Sequence, residues 1–386
     1  MRRVLSFVIV LGLLAPWRPI TAEPTDNVPD YPSAADVKAA FLKLLDRPKI
    51  DPALKTISEP RRAGGLITEH LSIATERKAD GVIERMPMLI VRPESPMGRL
   101  PAVVVLHGTG GNKESYREFC TELAKRGMVA IAIDARYHGE RIPGGAHGNQ
   151  EYVAAITRAW RAKAGEAQEH PFYFDTCWDL WRLMDYLQTR DDVDPRRIGM
   201  YGVSMGAIEI WLAASVDERV AVVVPAIGVQ SFRWTLEHDV WQGRAGTIRG
   251  AHEAAAKDLG EPEVNARVCR ALWNKVVPGI LDRFDCPSMI RLFAGRPMLI
   301  LSGEKDPNNP LGGAKLAFTS AERAYEAVGA SDKLKIDVAP GVGHRVTDAQ
   351  RDEAQALLAP ALEGFSSTPE MPHGRLSKWW DTVKPK

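Results

Sequence analysis

The chain has 386 residues, 45% hydrophobic and 26% charged, with 50 Lys and Arg against 49 Asp and Glu. That is an ordinary globular composition, long enough for a large core. A net charge of +1 with no long block of like charge argues against the basic surface a phosphate backbone needs, so no nucleic acid is expected as partner.

Arg2 and Arg3 precede an apolar run from Val4 to Ala15, and Ile20-Thr21-Ala22 ends in a small residue. Residues 1–22 read as a secretory signal peptide cleaved after Ala22, its apolar part too short to span a bilayer comfortably. A secreted or periplasmic chain is expected, of net charge 47 − 49 = −2 once three leader arginines are gone. Residues 23–100 should form an N-terminal unit. It has a helix over Ala34 to Asp46, with Val37, Phe41, Leu44 and Leu45 on one face, then a hairpin of Leu66 to Ala74 and Val82 to Val91.

From Pro101 the pattern alternates. Continuous apolar runs at Ala102 to Leu106, Met128 to Ile133, Ile198 to Val203, Val220 to Val224 and Pro297 to Leu301 predict strands buried on both faces, with Lys333 to Val338 the last strand. Helices are predicted between them at 114–126, 174–188, 313–327 and 348–362, with a polar loop from Gly139 to about His170 and a turn at Asp191 to Arg196. The fold class is therefore α/β: a mainly parallel central sheet with helices on both faces, its core in 101–228 and 293–364. Residues 229–292 interrupt the alternation and read as a helical cap insertion; 365–386 are a polar tail. In the cap, Trp234 and Trp241 are seven apart and would share a face if that segment is helical, either walling the site or anchoring the cap. Cys120 and Cys177 read as core residues, while Cys269 and Cys286 are near enough in sequence to pair, which sequence leaves open.

Gly202-Val203-Ser204-Met205-Gly206 lies where a buried strand turns into a helix. Such a turn exposes the Ser204 hydroxyl beside the positive end of a helix, where it can attack a carbonyl, and sets the Met205 N–H to receive an oxyanion. Asp306 and His344 follow in chain order, each in a loop just after a strand, as an orienting carboxylate and a general base would. Glu304 is a rival acid. His107, His138 and His147 are poorer bases, the first two too early in the order and the third with no strand behind it. His252-Glu253 lacks the second histidine of a zinc motif, and no Gly-rich phosphate loop opens a helix, so no metal or cofactor is implied.

The motifs HGTGG at 107–111, DARYHGER at 134–141, GVSMG at 202–206, GEKD at 303–306 and GVGH at 341–344 together resemble the α/β-hydrolase superfamily, in its dienelactone-hydrolase-like and acetyl-xylan-esterase-like branch of serine esterases. The resemblance implies a Ser204–Asp306–His344 triad and an oxyanion hole from the N–H groups of Met205 and Thr109. It implies hydrolysis of carboxylic esters, of small molecules or of acetyl groups on carbohydrate. The chain departs from dienelactone hydrolases proper in carrying serine, not cysteine, at the turn, which argues against their lactone chemistry. A prolyl-oligopeptidase-like peptidase and a non-catalytic binding protein are the alternatives. The first lacks its long repeat domain here, and the second would not be expected to keep all three residue types.

Overall fold

Ala102–Leu106 is five apolar residues in a row, and every one is fully buried. The computed structural model describes residues 28–363 except 143–147, 164 and 167. The expected leader, the C-terminal tail and His147 lie outside the described residues. The strands are β1 (Lys55–Ala63), β2 (Leu66–Arg77), β3 (Ile83–Pro93), β4 (Leu100–Leu106), β5 (Val129–Ile133), β6 (Val193–Val203), β7 (Val220–Ala226), β8 (Met298–Gly303) and β9 (Leu334–Ala339). They form one sheet in the order β1-β2-β3-β5-β4-β6-β7-β8-β9. From β5 to β9 the pairs are parallel, with Val104 of β4 opposite Ile131 and Met200, while β1, β2 and β3 join antiparallel.

Among the described residues twelve α-helices accompany the sheet: α1 (Ala34–Leu44), α2 (Arg117–Lys125), α3 (Gln150–Arg161), α4 (Phe174–Leu187), α5 (Met205–Val216), α6 (Phe232–Glu237), α7 (Gln242–Gly246), α8 (Arg249–Leu259), α9 (Ala266–Val276), α10 (Cys286–Ile290), α11 (Leu311–Ala327) and α12 (Asp348–Glu363). The pleat divides them. Val103 and Val105 face a layer built from α2 and α12, through Cys120, Leu123, Ala354 and Leu358. Ala102, Val104 and Leu106 face the larger layer of α1, α4, α5 and α11. Each such valine or leucine contributes about 1.5–3 kcal/mol by leaving water. All four cysteines are buried and unpaired, so Cys269 and Cys286 form no bridge.

Two expectations about elements need correction, and one strand was not expected. The stretch expected to be a polar loop contains α3, whose Tyr152, Ala155, Ile156 and Ala159 bury one face behind a charged surface. Of the expected turn at 191–196, Asp191 and Asp192 do turn, while Val193 to Arg196 already belong to β6. β1 is an additional edge strand, exposed along its whole length, so it carries no alternation to read.

Residues 229–292 hold α6 to α10. Phe232 and Trp273 meet edge to face at 5.4 Å inside this cap, both fully buried. Asp285 ties its two ends together: it accepts from Ser231 Oγ at 2.5 Å, Phe232 N–H at 2.8 Å and Cys286 N–H at 2.8 Å. Trp234 and Trp241 do not share a helix face, because α6 ends at Glu237 and Trp241 precedes α7. Trp234 stacks on His238 at 4.0 Å and lies so near Gly312 that a Cβ there would be 2.4 Å from its ring. It therefore packs the cap onto α11.

α5 is buried on every side, including Glu209. Burial pushes the Glu209 carboxyl well above its ordinary range; the Thr176 hydroxyl opposes this and the Asp179 charge adds to it. Glu209 forms no ion pair among the described residues. The folded chain thus keeps a proton here where the unfolded chain, with an ordinary pKa of about 4.3, has released it. The stability of the parent should fall as pH rises above that value. Glu209→Gln removes the loss, so the variant's melting temperature relative to the parent should climb from about pH 5 to about pH 8. A flat or falling difference in a pH series of thermal melts would show Glu209 ionised in place.

Candidate active site

Ser204 links β6 to α5 with φ 54° and ψ −109°. Holding a non-glycine residue there costs on the order of 1–3 kcal/mol, which the surroundings must offset. Its N–H donates to the Ala226 carbonyl at 2.8 Å, and its own carbonyl accepts from Ile208 N–H at 3.2 Å. The flanking glycines are a matter of contact. A Cβ on Gly206 would lie 2.6 Å from Leu106 Cβ and 2.7 Å from the His107 carbonyl oxygen, and one on Gly202 would lie 2.4 Å from the Gly206 carbonyl oxygen.

The structure brings Ser204, His344 and Asp306 together. Ser204 Oγ is 2.8 Å from His344 Nε2, and His344 Nδ1 is 2.8 Å from Asp306 Oδ2. An ionised carboxylate only accepts, so Nδ1 carries the ring proton and Nε2 turns a lone pair to the hydroxyl. Asp306 is 3% exposed. Its Oδ1 accepts from the N–H groups of Asn308 at 2.8 Å and Asn309 at 3.1 Å. Burial alone would raise its pKa; the hydrogen bond and charge of His344, with these donors, outweigh it and hold the carboxyl below its ordinary range. Glu304, the rival acid, is exposed and accepts from Gly341 N–H at 2.6 Å.

Two residues that sequence reasoning missed join this line. Asn309 Nδ2 donates to the Ile227 carbonyl at 2.6 Å and to Asp306 Oδ2 at 3.2 Å. Its Oδ1 accepts from Nη2 of Arg244 on α7. Arg244 is 1% exposed, with its guanidinium 5.7 Å from the Phe232 ring centre. Beside it, Gly243 approaches the Pro307 carbonyl so closely that a Cβ would lie 2.0 Å from the oxygen. The cap is thus seated on the loop bearing Asp306. Asn309 has a weak signal in the turn-forming run Asp306-Pro307-Asn308-Asn309-Pro310; Arg244 has none.

The cleft in front of Ser204 has a volume of about 540 Å³, and Gly108 and Thr109 line it with Tyr116, Tyr201 and Thr247. Met205 begins α5, where a backbone N–H has no partner within the helix. A Cβ on Gly108 would sit 3.4 Å from Ser204 Cβ, which brings the loop after β4 against Ser204. His107 fixes that loop. Its Nε2 accepts from Ala135 N–H at 3.2 Å, so Nδ1 is the protonated nitrogen and donates to the Gly108 carbonyl at 2.8 Å. His138 packs on His107 with ring centres 5.1 Å apart, and burial pushes it down to about 3. Neither reaches Ser204 within hydrogen-bonding distance.

The 134–141 motif does structural service. Arg136 makes a two-point contact with Asp179, at 2.7 and 2.9 Å, and Arg141 adds a third at 2.8 Å. Asp134 receives Lys113 Nζ at 3.0 Å and the Lys113 N–H at 2.8 Å. These pairs pin the loop after β5 to α4 and to the loop after β4. Among the described residues no three His, Cys, Asp or Glu side chains group as a metal site would require.

Residues 86–252 match the dienelactone hydrolase family, a span that holds Ser204 but neither Asp306 nor His344. YtaP of Bacillus subtilis is 25% identical over 288 residues, which is 71% of this chain and 83% of that one. Acetyl xylan esterase 1 from Thermoanaerobacterium sp. JW/SL YS485 matches in structure with a TM-score of 0.63 at 18% identity, covering 87% of this chain and 96% of the other. The acetyl xylan esterase from Paenibacillus sp. R4 gives 0.61 at 17% identity, over 86% and 96%. At such identities a structural likeness speaks for fold. The chain is an α/β-hydrolase-fold protein, similar to the dienelactone hydrolase family over residues 86–252 and to acetyl xylan esterases in its overall architecture.

Proposed function

We propose that the chain is a serine hydrolase of carboxylic esters that works through an acyl-enzyme. The observation that carries this reading is the continuous line from Ser204 Oγ to His344 to Asp306, two contacts of 2.8 Å at the wall of an open cleft. Ser204 Oγ attacks the ester carbonyl while His344 Nε2 takes its proton. The oxyanion is received by the N–H groups of Met205 and Thr109. His344 returns the proton to the departing alkoxide, and a water repeats the sequence to free the acid. Asp306 keeps the imidazole in the tautomer this needs and stabilises the imidazolium. Asn309 and Arg244 hold Asp306 in place from behind.

The similarity to proteins named acetyl xylan esterases favours short acyl groups, and acetyl groups on carbohydrate among them. The leader-like residues 1–22 favour export. Incubation with an active-site phosphonate should label Ser204 covalently, and a panel of p-nitrophenyl esters beside peptide anilides should show turnover of the esters. Anilide cleavage in place of ester cleavage would favour a peptidase, and neither labelling nor turnover would leave only a binding protein.

Ser204→Ala should lower ester kcat/KM by ~10⁴-fold or more with melting unchanged; activity within about tenfold of the parent would remove Ser204 from its role. Asp306→Asn should cut kcat by about 10³- to 10⁴-fold through the wrong tautomer, with Glu304→Gln near the parent. The reverse ranking would assign the acid to Glu304. Asn309→Ala loosens Asp306 without removing it, and steady-state kinetics should show a smaller fall in kcat, up to about 10²-fold, with KM little changed.

A further inference from the structure

The charges on the cleft wall are of one sign. Arg345 and Arg351 both line it, together with Asn149, Asn308 and the rings of Tyr116 and Tyr201, and among the described residues no aspartate or glutamate lines it. Asp306, the nearest carboxylate in the chemistry, is 3% exposed and is occupied by His344, so it does not offset them at the surface. Arg351 reaches the carboxylate of Asp348, which is itself almost fully exposed. Arg345 is exposed and makes no ion pair among the described residues. This contrasts with the arginines behind the site, such as Arg136 and Arg141, which are paired with Asp179 and other carboxylates. The N-terminus of the twelve-residue α5 adds partial positive charge at Ser204. A cleft walled by one sign of charge attracts and orients a ligand of the other.

The chain sequence also says on which side of the bond that charge lies. Arg345 follows His344 directly, so their Cα atoms are about 3.8 Å apart. His344 has to hand its proton to the departing oxygen, so the alcohol half of an ester must lie on the His344 side. We infer that the site is built for esters whose alcohol half carries a carboxylate, held by Arg345 and Arg351 while the acyl group faces Ser204. This rests on the reading of the cleft as an ester hydrolase site and adds the class of alcohol. A planar guanidinium meets a carboxylate through paired N–H donors, which suits arginine better than lysine for this task. The tyrosine rings supply flat apolar surface for a ring bearing the carboxylate, whether that of an acidic sugar or of an aromatic acid.

The test uses the whole chain and two acetyl esters that differ only in charge on the alcohol half, 4-acetoxybenzoate and 4-acetoxybenzamide. p-Nitrophenyl acetate reports the basal reaction, and p-nitrophenyl hydrogen succinate places the carboxylate on the acyl half instead. The expected result is a kcat/KM for the benzoate about tenfold above that of the benzamide. The ratio should shrink as NaCl rises from about 0.05 to about 0.5 M, since exposed charges are screened. In Arg345→Ala and Arg345→Ala/Arg351→Ala it should fall toward one, and Arg345→Lys should recover part of it. The salt series needs no variant, so it stands if a substituted chain folds poorly. A ratio of one or below in the parent, with p-nitrophenyl acetate turned over, overturns the inference and leaves the ester reading intact. A preference for the succinate over p-nitrophenyl acetate, without one for the benzoate, puts the charge on the acyl half and also overturns it. Turnover of none of the four overturns both.

Discussion

Everything at the site depends on how closely α5 can approach the end of β4. Gly206 lies against Leu106 and the His107 carbonyl, and its N–H donates to that carbonyl at 3.1 Å. This contact, with that of Gly202 against the Gly206 carbonyl, lets the chain reverse from β6 into α5 within one residue and leave Ser204 at a positive φ. It also sets the loop after β4 beside Ser204, so Ser204 and the loop bearing Thr109 are placed by one packing event. The sheet order supplies the rest. β6 lies between β4 and β7, and the β8 and β9 loops carry Asp306 and His344 to the same rim. Four strand ends converge because parallel strands all finish on one side.

Three buried carboxylates show how far surroundings decide what such a group is. Glu209 has no cation paired with it among the described residues, and burial pushes its carboxyl well above the ordinary range. Asp285 accepts four hydrogen bonds, yet burial still pushes it up to about 7. Asp306 is less deeply covered and faces His344, so it is held below its usual range. One is a core side chain, one fastens the cap, and the third orients an imidazole. Residue type alone distinguishes none of them.

Much of the fold was legible because burial on both faces leaves a plain mark. The apolar runs of β4, β5, β6, β7 and β8 admit few other readings. GVSMG was legible because contact forbids side chains at Gly202 and Gly206, and Asp306 and His344 because strand-end loops gather on one rim. β1 was not legible, since a wholly exposed edge strand has no alternation. α3 was hidden by its charged outer face, and the condition under which Trp234 and Trp241 would share a face fails because α6 is only six residues long. Arg244 and Asn309 were out of reach for a different reason. They meet across 65 residues of chain, and nothing local in either segment foreshadows the other.

The unpaired cysteines have a use beyond packing. Thiolate is the reactive form, and burial pushes Cys120 and Cys269 up to about 12 and the other two well above their ordinary range. A thiol reagent therefore meets nothing to modify until the packing opens. The four are divided between layers: Cys120 lies with α2 and α12, while Cys177, Cys269 and Cys286 lie on the opposite face, the last two in the cap segment. The molecule thus carries its own set of silent reporters, and the order in which they become reactive under mild denaturation would read out which layer comes apart first.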